Sequence, residues 1–192
     1  VLDGTVKAVS WVGKNGGSIS LHAGEVEVVR SGTPHLSSSY RTGQTLPAGM
    51  AGRLVLGDDF FDNTGFTHIS LKAMTDVTVN ANTSLSPSLT RMTLSRPGRT
   101  FEVEAAAVYA GDSSITLDAG NITGSGNSIG FSDYTTYISD PLYTERIQNG
   151  MVRVGQGASL EVYPGGSISV SGQGVDIAGH FSAPAGTISI YA

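Results

Sequence analysis

No cysteine occurs among the 192 residues, which excludes disulfides and thiolate-held metals. A chain of this kind can pass through an oxidising compartment without needing bridges. Aromatic residues make up only 7% and charged residues 14% against 39% hydrophobic, too apolar for a disordered chain and too poor in Leu, Ala and Lys runs for a helical one. There is no basic cluster and the formal net charge is −5, which argues against nucleic acid and anionic membrane surfaces as partners. No apolar run approaches the ~20 residues that a membrane-spanning helix needs, so no membrane insertion is expected. The opening Val1-Leu-Asp-Gly4 has neither an initiator methionine nor a signal peptide, and the chain reads as cut from something longer. No amphipathic helix stands out, and the stretch from Glu102 to Ala110 reads as a strand followed by a short turn.

What the chain does have is a recurring pair of apolar residues two apart, set behind glycine and small polar residues. Near the C-terminus the pairs are Leu160/Val162, Ile168/Val170, Val175/Ile177 and Ile188/Ile190. Upstream the same unit appears as Ile19/Leu21, Val26/Val28, Leu54/Leu56, Ile69/Leu71, Val77/Val79, Met92/Leu94, Phe101/Val103, Ile115/Leu117 and Val152/Val154. Side chains of a strand alternate faces, so each pair puts two apolar groups on one side and leaves the intervening Ser, Thr, Glu, Lys or Arg in water. Strands this short do not stand alone and must gain stability by stacking.

The stacking has a period. Gly166-Ser-Ile-Ser-Val170 returns as Gly186-Thr-Ile-Ser-Ile190, and a repeat of about 20 residues holding more than one strand describes one coil of a parallel β-helix. Ile19, Ile69, Ile115 and Ile168 stand about 50 residues apart, a spacing that suits two coils plus a loop each. The expected fold is therefore all-β: a solenoid in a single domain over residues 1–192, with insertions around 30–49 and 131–150.

The phrases Gly155-Gln-Gly-Ala-Ser-Leu-Glu-Val162, Gly165-Gly-Ser-Ile-Ser-Val170, Gly174-Val-Asp-Ile-Ala-Gly179 and Ala183-Pro-Ala-Gly-Thr-Ile-Ser-Ile190 resemble the repeats of filamentous haemagglutinin-type exoproteins. Gly16-Gly-Ser-Ile-Ser-Leu-His-Ala-Gly24 and Ser114-Ile-Thr-Leu-Asp-Ala-Gly120 carry the same wording. The resemblance implies a right-handed parallel β-helix shaft in a large bacterial surface protein exported by two-partner secretion. It also implies an outer-membrane transporter as partner during secretion, and a secreted or cell-surface location. In such proteins the repeats build the rod and binding is grafted onto it.

Grafted function is expected where the rhythm breaks. The segments 30–49 and 131–150 are longer than ordinary connections, and long loops are often functional. The second holds Tyr134, Tyr137 and Tyr143 with Asp140 and Arg146, and tyrosine offers a flat face and a hydroxyl suited to glycans or a host receptor. The same rings would serve equally to pin the loop against the side of the stack. A second cluster, Gly57-Asp-Asp-Phe-Phe-Asp-Asn63, offers oxygen ligands for calcium through Asp58, Asp59, Asp62 and Asn63, or an acid and base for polysaccharide cleavage. The bland reading is a polar turn whose two phenylalanines fold back on the core.

Arg146-Ile-Gln148 invites comparison with the basic tripeptide of polygalacturonase-type glycosidases, but Gly179-His180-Phe181 stands on the wrong side of it for that signature. His22, His35, His68 and His180 lack metal-ligand spacing, and no nucleophile elbow or phosphate loop occurs. Asn82-Thr-Ser84 and Asn121-Ile-Thr123 match the glycosylation acceptor pattern, which a Ser/Thr-rich chain also produces by chance. The expectation is a non-enzymatic shaft or adhesion module that needs no cofactor. Its last coil would continue into further coils or stack end to end with a neighbour, and the alternative is a polysaccharide lyase or hydrolase using Asp58 and Asp59.

Overall fold

The computed structural model describes residues 6–11, 16–33, 44–62, 64–95, 100–105, 113–120 and 150–192, of which 9–11, 90–95 and 100–105 are described by backbone alone. The chain opens with β1 (Val9–Trp11), then β2 (Gly17–Ala23) and β3 (Glu25–Val29), which are separated only by Gly24. It returns as β4 (Arg53–Gly57), makes a 3-10 turn over Asp58–Phe61, and runs through β5 (Phe66–Ala73), β6 (Val77–Val79) and β7 (Ser84–Leu85). β8 (Thr90–Ser95) and β9 (Thr100–Ala105) pair antiparallel. There follow β10 (Ser114–Ala119), β11 (Met151–Val154), β12 (Ser159–Glu161), β13 (Ser167–Ser171), β14 (Gly174–Ile177), β15 (His180–Ser182) and β16 (Thr187–Tyr191). The protein is all-β, and every strand pair except β8–β9 is parallel.

Three parallel sheets share the strands in rotation. The first has the order β2-β5-β10-β13-β16, the second β4-β3-β6-β11-β14 and the third β7-β12-β15, while β1, β8 and β9 form a small sheet apart. From β10 onward the chain visits the first, second and third sheets in turn, twice over, and re-enters the first as β16.

Register explains why the apolar pairs recur. Ile19, Ile69, Ile115, Ile168 and Ile188 are successive Cα partners across the first sheet, and beside them run Leu21, Leu71, Leu117, Val170 and Ile190. In the second sheet Val26, Val77, Val152 and Val175 make one such row and Val28, Val79, Val154 and Ile177 another. Leu85, Leu160 and Phe181 do the same in the third. Apart from Ile188 and Ile190 on the exposed edge strand β16, these rows pack into one apolar cluster, to which Phe61, Phe66 and Ala158 also belong. A fully buried Ile, Leu or Val contributes about 1.5–3 kcal/mol, so the stacked rows are the main source of stability.

The register overturns one expectation. Because Ile19, Ile69, Ile115 and Ile168 are adjacent partners across the first sheet, each interval of about 50 residues returns to that sheet once, not twice. Some strands are also longer than expected, β2 having 7 residues and β5 having 8. The interval from Ile168 to Ile188, in contrast, is about 20 residues long and visits the three sheets in turn.

Candidate functional site

The acidic cluster lies on the 3-10 turn that follows β4. Gly57 is still extended (φ −68°, ψ 147°), and the turn begins at Asp58. The Asp58 carboxylate accepts the Ser31 backbone N–H through Oδ1 at 2.8 Å and, more weakly, the Ser84 N–H through Oδ2 at 3.4 Å. The Asp59 N–H donates to Ser31 Oγ at 3.2 Å, and the Asp62 N–H to the Asp59 carbonyl at 3.0 Å. Asp58 therefore ties together the chain just beyond β3, the turn itself and the start of β7. Phe60 and Phe61 do fold back on the core, edge to face with centroids 5.1 Å apart, and Phe61 is buried.

Asp58 and Asp62 are shifted in opposite senses. Partial burial disfavours charge on Asp58, yet the hydrogen bonds from Ser31, Ser84 and the Asp59 N–H outweigh it and hold the carboxyl below its usual range. Asp62 is pushed up, first by burial and then by the charges of Asp58 and Asp59. A lowered carboxyl stabilises the fold above its unfolded pKa and loses that contribution as pH falls through the folded value. A raised one has the reverse sign and costs stability as pH rises through the folded value. Asp58→Asn should accordingly lower the thermal midpoint at pH 7, and Asp62→Asn should raise it slightly. Both differences from wild type should shrink as the pH is taken below 4 in a calorimetric series, and equal effects of one sign would contradict the assignment.

Other polar groups on the strands are paired across rungs. On the second sheet the Arg53 guanidinium contacts Glu27 at 2.5 Å and Glu25 at 3.4 Å, and Asn80 Nδ2 donates to Glu27 Oε1 at 2.8 Å. Asp76 accepts the Met151 N–H at 2.9 Å and pairs with Arg153. Burial opposes its charge, but the Met151 and Arg153 hydrogen bonds and the nearby guanidinium hold it below the usual range. On the first sheet, rows of Ser and Thr lie between the apolar rows, among them Ser20, Ser70, Thr116, Ser169 and Ser189. His68 Nδ1 lies 3.0 Å from Ser114 Oγ, and Ser171 donates to Asp118 at 2.6 Å.

No enclosed chamber accompanies these groups among the described residues. A depression of about 170 Å³ is lined by Ser86, Glu161, Val162, Tyr163 and Pro164, smaller than the several hundred Å³ of typical small-molecule sites. Among the described residues no three or more His, Asp or Glu side chains gather as metal ligands. Asp58, Asp59 and Asp62 share one turn, with Asp58 engaged by backbone amides. Tyr134, Tyr137, Tyr143, Arg146, Asp140, Asn121 and Asn63 lie outside the described residues, as does His35. Sequence reasoning missed Ser31 and Ser84 as partners of Asp58, since nothing local marks a serine whose amide meets a carboxylate more than 25 residues away. What the arrangement offers chemically is rows of Ser and Thr hydroxyls on the first sheet and paired carboxylates and guanidinium groups on the second.

Comparison with known proteins adds no relative: no protein-family model, no curated protein and no solved structure matches the chain.

Proposed function

We propose that the chain is a length of right-handed parallel β-helix that serves as a shaft or adhesion module of a secreted bacterial surface protein, binding through loops on the rod and not by catalysis. The observation that carries this reading is the rotation of β10 through β16 among three sheets with unbroken apolar rows, an arrangement that lengthens by adding coils. The right hand follows from the near-universal chirality of parallel crossovers. Export through an outer-membrane transporter and display at the cell surface belong to the same proposal, resting on the likeness of the repeats to filamentous haemagglutinin-type exoproteins. So does continuation beyond β16 or end-to-end stacking, since Ile188, Ile190 and Tyr191 on that edge strand are 43%, 50% and 64% exposed.

The competing reading, a polysaccharide lyase or hydrolase, asks Asp58 and Asp59 to be free in a groove, and Asp58 instead holds backbone amides. A fluorescent preparation of the chain on an array of glycans and matrix proteins separates the two. Binding to a restricted set is expected, and it should disappear when Tyr134, Tyr137 and Tyr143 are changed together to Ala while the β-type circular dichroism stays unchanged. Release of unsaturated products or new reducing ends from a polysaccharide panel would overturn the non-catalytic reading.

A further inference from the structure

The corner between β10 and β11 lies directly above the corner between β5 and β6. Asp118 and Ala119 of β10 are Cα partners of Lys72 and Ala73 of β5, and Val152 of β11 is the partner of Val77 of β6. In the lower rung the chain passes from Lys72 to Asp76 through Ala73, Met74 and Thr75. In the upper rung it passes from Asp118 to Met151 through Ala119, Gly120 and Gly150, once residues 121–149 are set aside. The two corners match residue for residue.

Contacts show the corner to be shut. The Gly120 N–H donates to the Ala73 carbonyl at 2.9 Å, and the Gln173 N–H of the rung above donates to the Gly150 carbonyl at 2.8 Å. A Cβ on Gly150 would stand 1.8 Å from the Thr75 carbonyl oxygen and 2.6 Å from the Gly120 nitrogen, so the departing and returning chain meet. Asp76 secures the return by accepting the Met151 N–H and pairing with Arg153. On both sides of the gap the strands hold the register of their neighbours without a shift.

We infer that residues 121–149 can be removed and the three sheets still form, because Gly120 and Gly150, which bound them in sequence, meet at one closed corner. The first of the long excursions is of another kind. The one after β3 comes back as β4, which pairs with β3 along the edge of the second sheet and so becomes part of the stack. The corner between β10 and β11 is thus an insertion port at which sequence can be exchanged or enlarged while the rod is kept, the arrangement expected of a display position. This holds whatever residues 121–149 bind, and it stands or falls separately from the adhesin reading.

The test joins Gly120 directly to Gly150 in the otherwise intact chain, with a second version carrying one added glycine at the joint. Both should give the β-type spectrum of the parent and a single melting transition within about 4 °C of it. The midpoint should sit at or slightly above the parent's, because a shorter connection costs less to close. Insertion of a flexible Gly/Ser stretch in place of 121–149 should likewise preserve the transition. Failure of all three to fold, or a fall of the midpoint well beyond that margin in all three, would overturn the inference by showing that the stack needs 121–149.

Discussion

Ile168→Asp is expected to lower the stability of the protein by about 3–5 kcal/mol, whereas Ser169→Asp, one residue along the same strand, should change it by less than about 0.5 kcal/mol. Ile168 has no solvent exposure and sits between Ile115 below and Ile188 above, with apolar neighbours from the other sheets around it. A carboxylate there finds no cation and no donor, so it must either remain charged in an apolar medium or take up a proton and still leave polar atoms unpaired. Ser169 belongs to the row between Thr116 and Ser189, outside the apolar cluster, where a charged group keeps its water. Urea titrations of the two variants measure the contrast directly, and equal losses would mean that the facing of the first sheet is reversed.

Gly150→Ala should be the most damaging of the conservative substitutions, costing about 2–4 kcal/mol for a single added methyl group. The methyl would have to occupy the space of the Thr75 carbonyl oxygen, and backbone cannot step aside as a side chain can. Relief requires the β10–β11 corner to lift away from the rung beneath, which would stretch the Gly120 to Ala73 hydrogen bond and the hold of Asp76 on the Met151 N–H. Gly120 and Gly150 lie next to each other in space but are separated in sequence by residues 121–149. Thermal melts of Gly150→Ala beside Gly32→Ala discriminate the cause: Gly32 has a left-handed φ of +78° but nothing within 4 Å of a new Cβ, so its loss is backbone strain alone and should be the smaller.

The strands that carry two apolar residues were legible from spacing alone, since burial on one face of a strand imposes a period of two. Ile168/Val170 and Ile188/Ile190 could even be stacked correctly, because no excursion falls between them. The same logic gave the wrong coil count upstream. A distance of about 50 residues does not say whether it is filled by sheet or by chain that leaves it, and only hydrogen-bond register decides. β7 and β15 escaped notice for a related reason: Ser84–Leu85 offers one inward residue, and His180–Ser182 places only Phe181 toward the core, so neither forms a pair. The acidic turn was visible as composition, but the role of Asp58 was not, because its partners come from elements that are distant along the chain and meet only after the sheets have stacked.

The unequal spacing of the rungs also orders the events of folding. Bringing Ile188 onto Ile168 closes a loop of about 20 residues, while Ile19 onto Ile69, or Ile115 onto Ile168, closes one of about 50, and the entropic difference is roughly 0.8 kcal/mol for each such closure. The last rungs, β13 with β16, β12 with β15 and β11 with β14, join partners about 20 residues apart, the most local of the parallel pairings among the described residues. Assembly should therefore begin at the C-terminal end of the stack and proceed toward β2 against the direction of synthesis. During synthesis the chain would therefore present its slowest closures before its fastest, and so would stay extended until the part that nucleates it arrives.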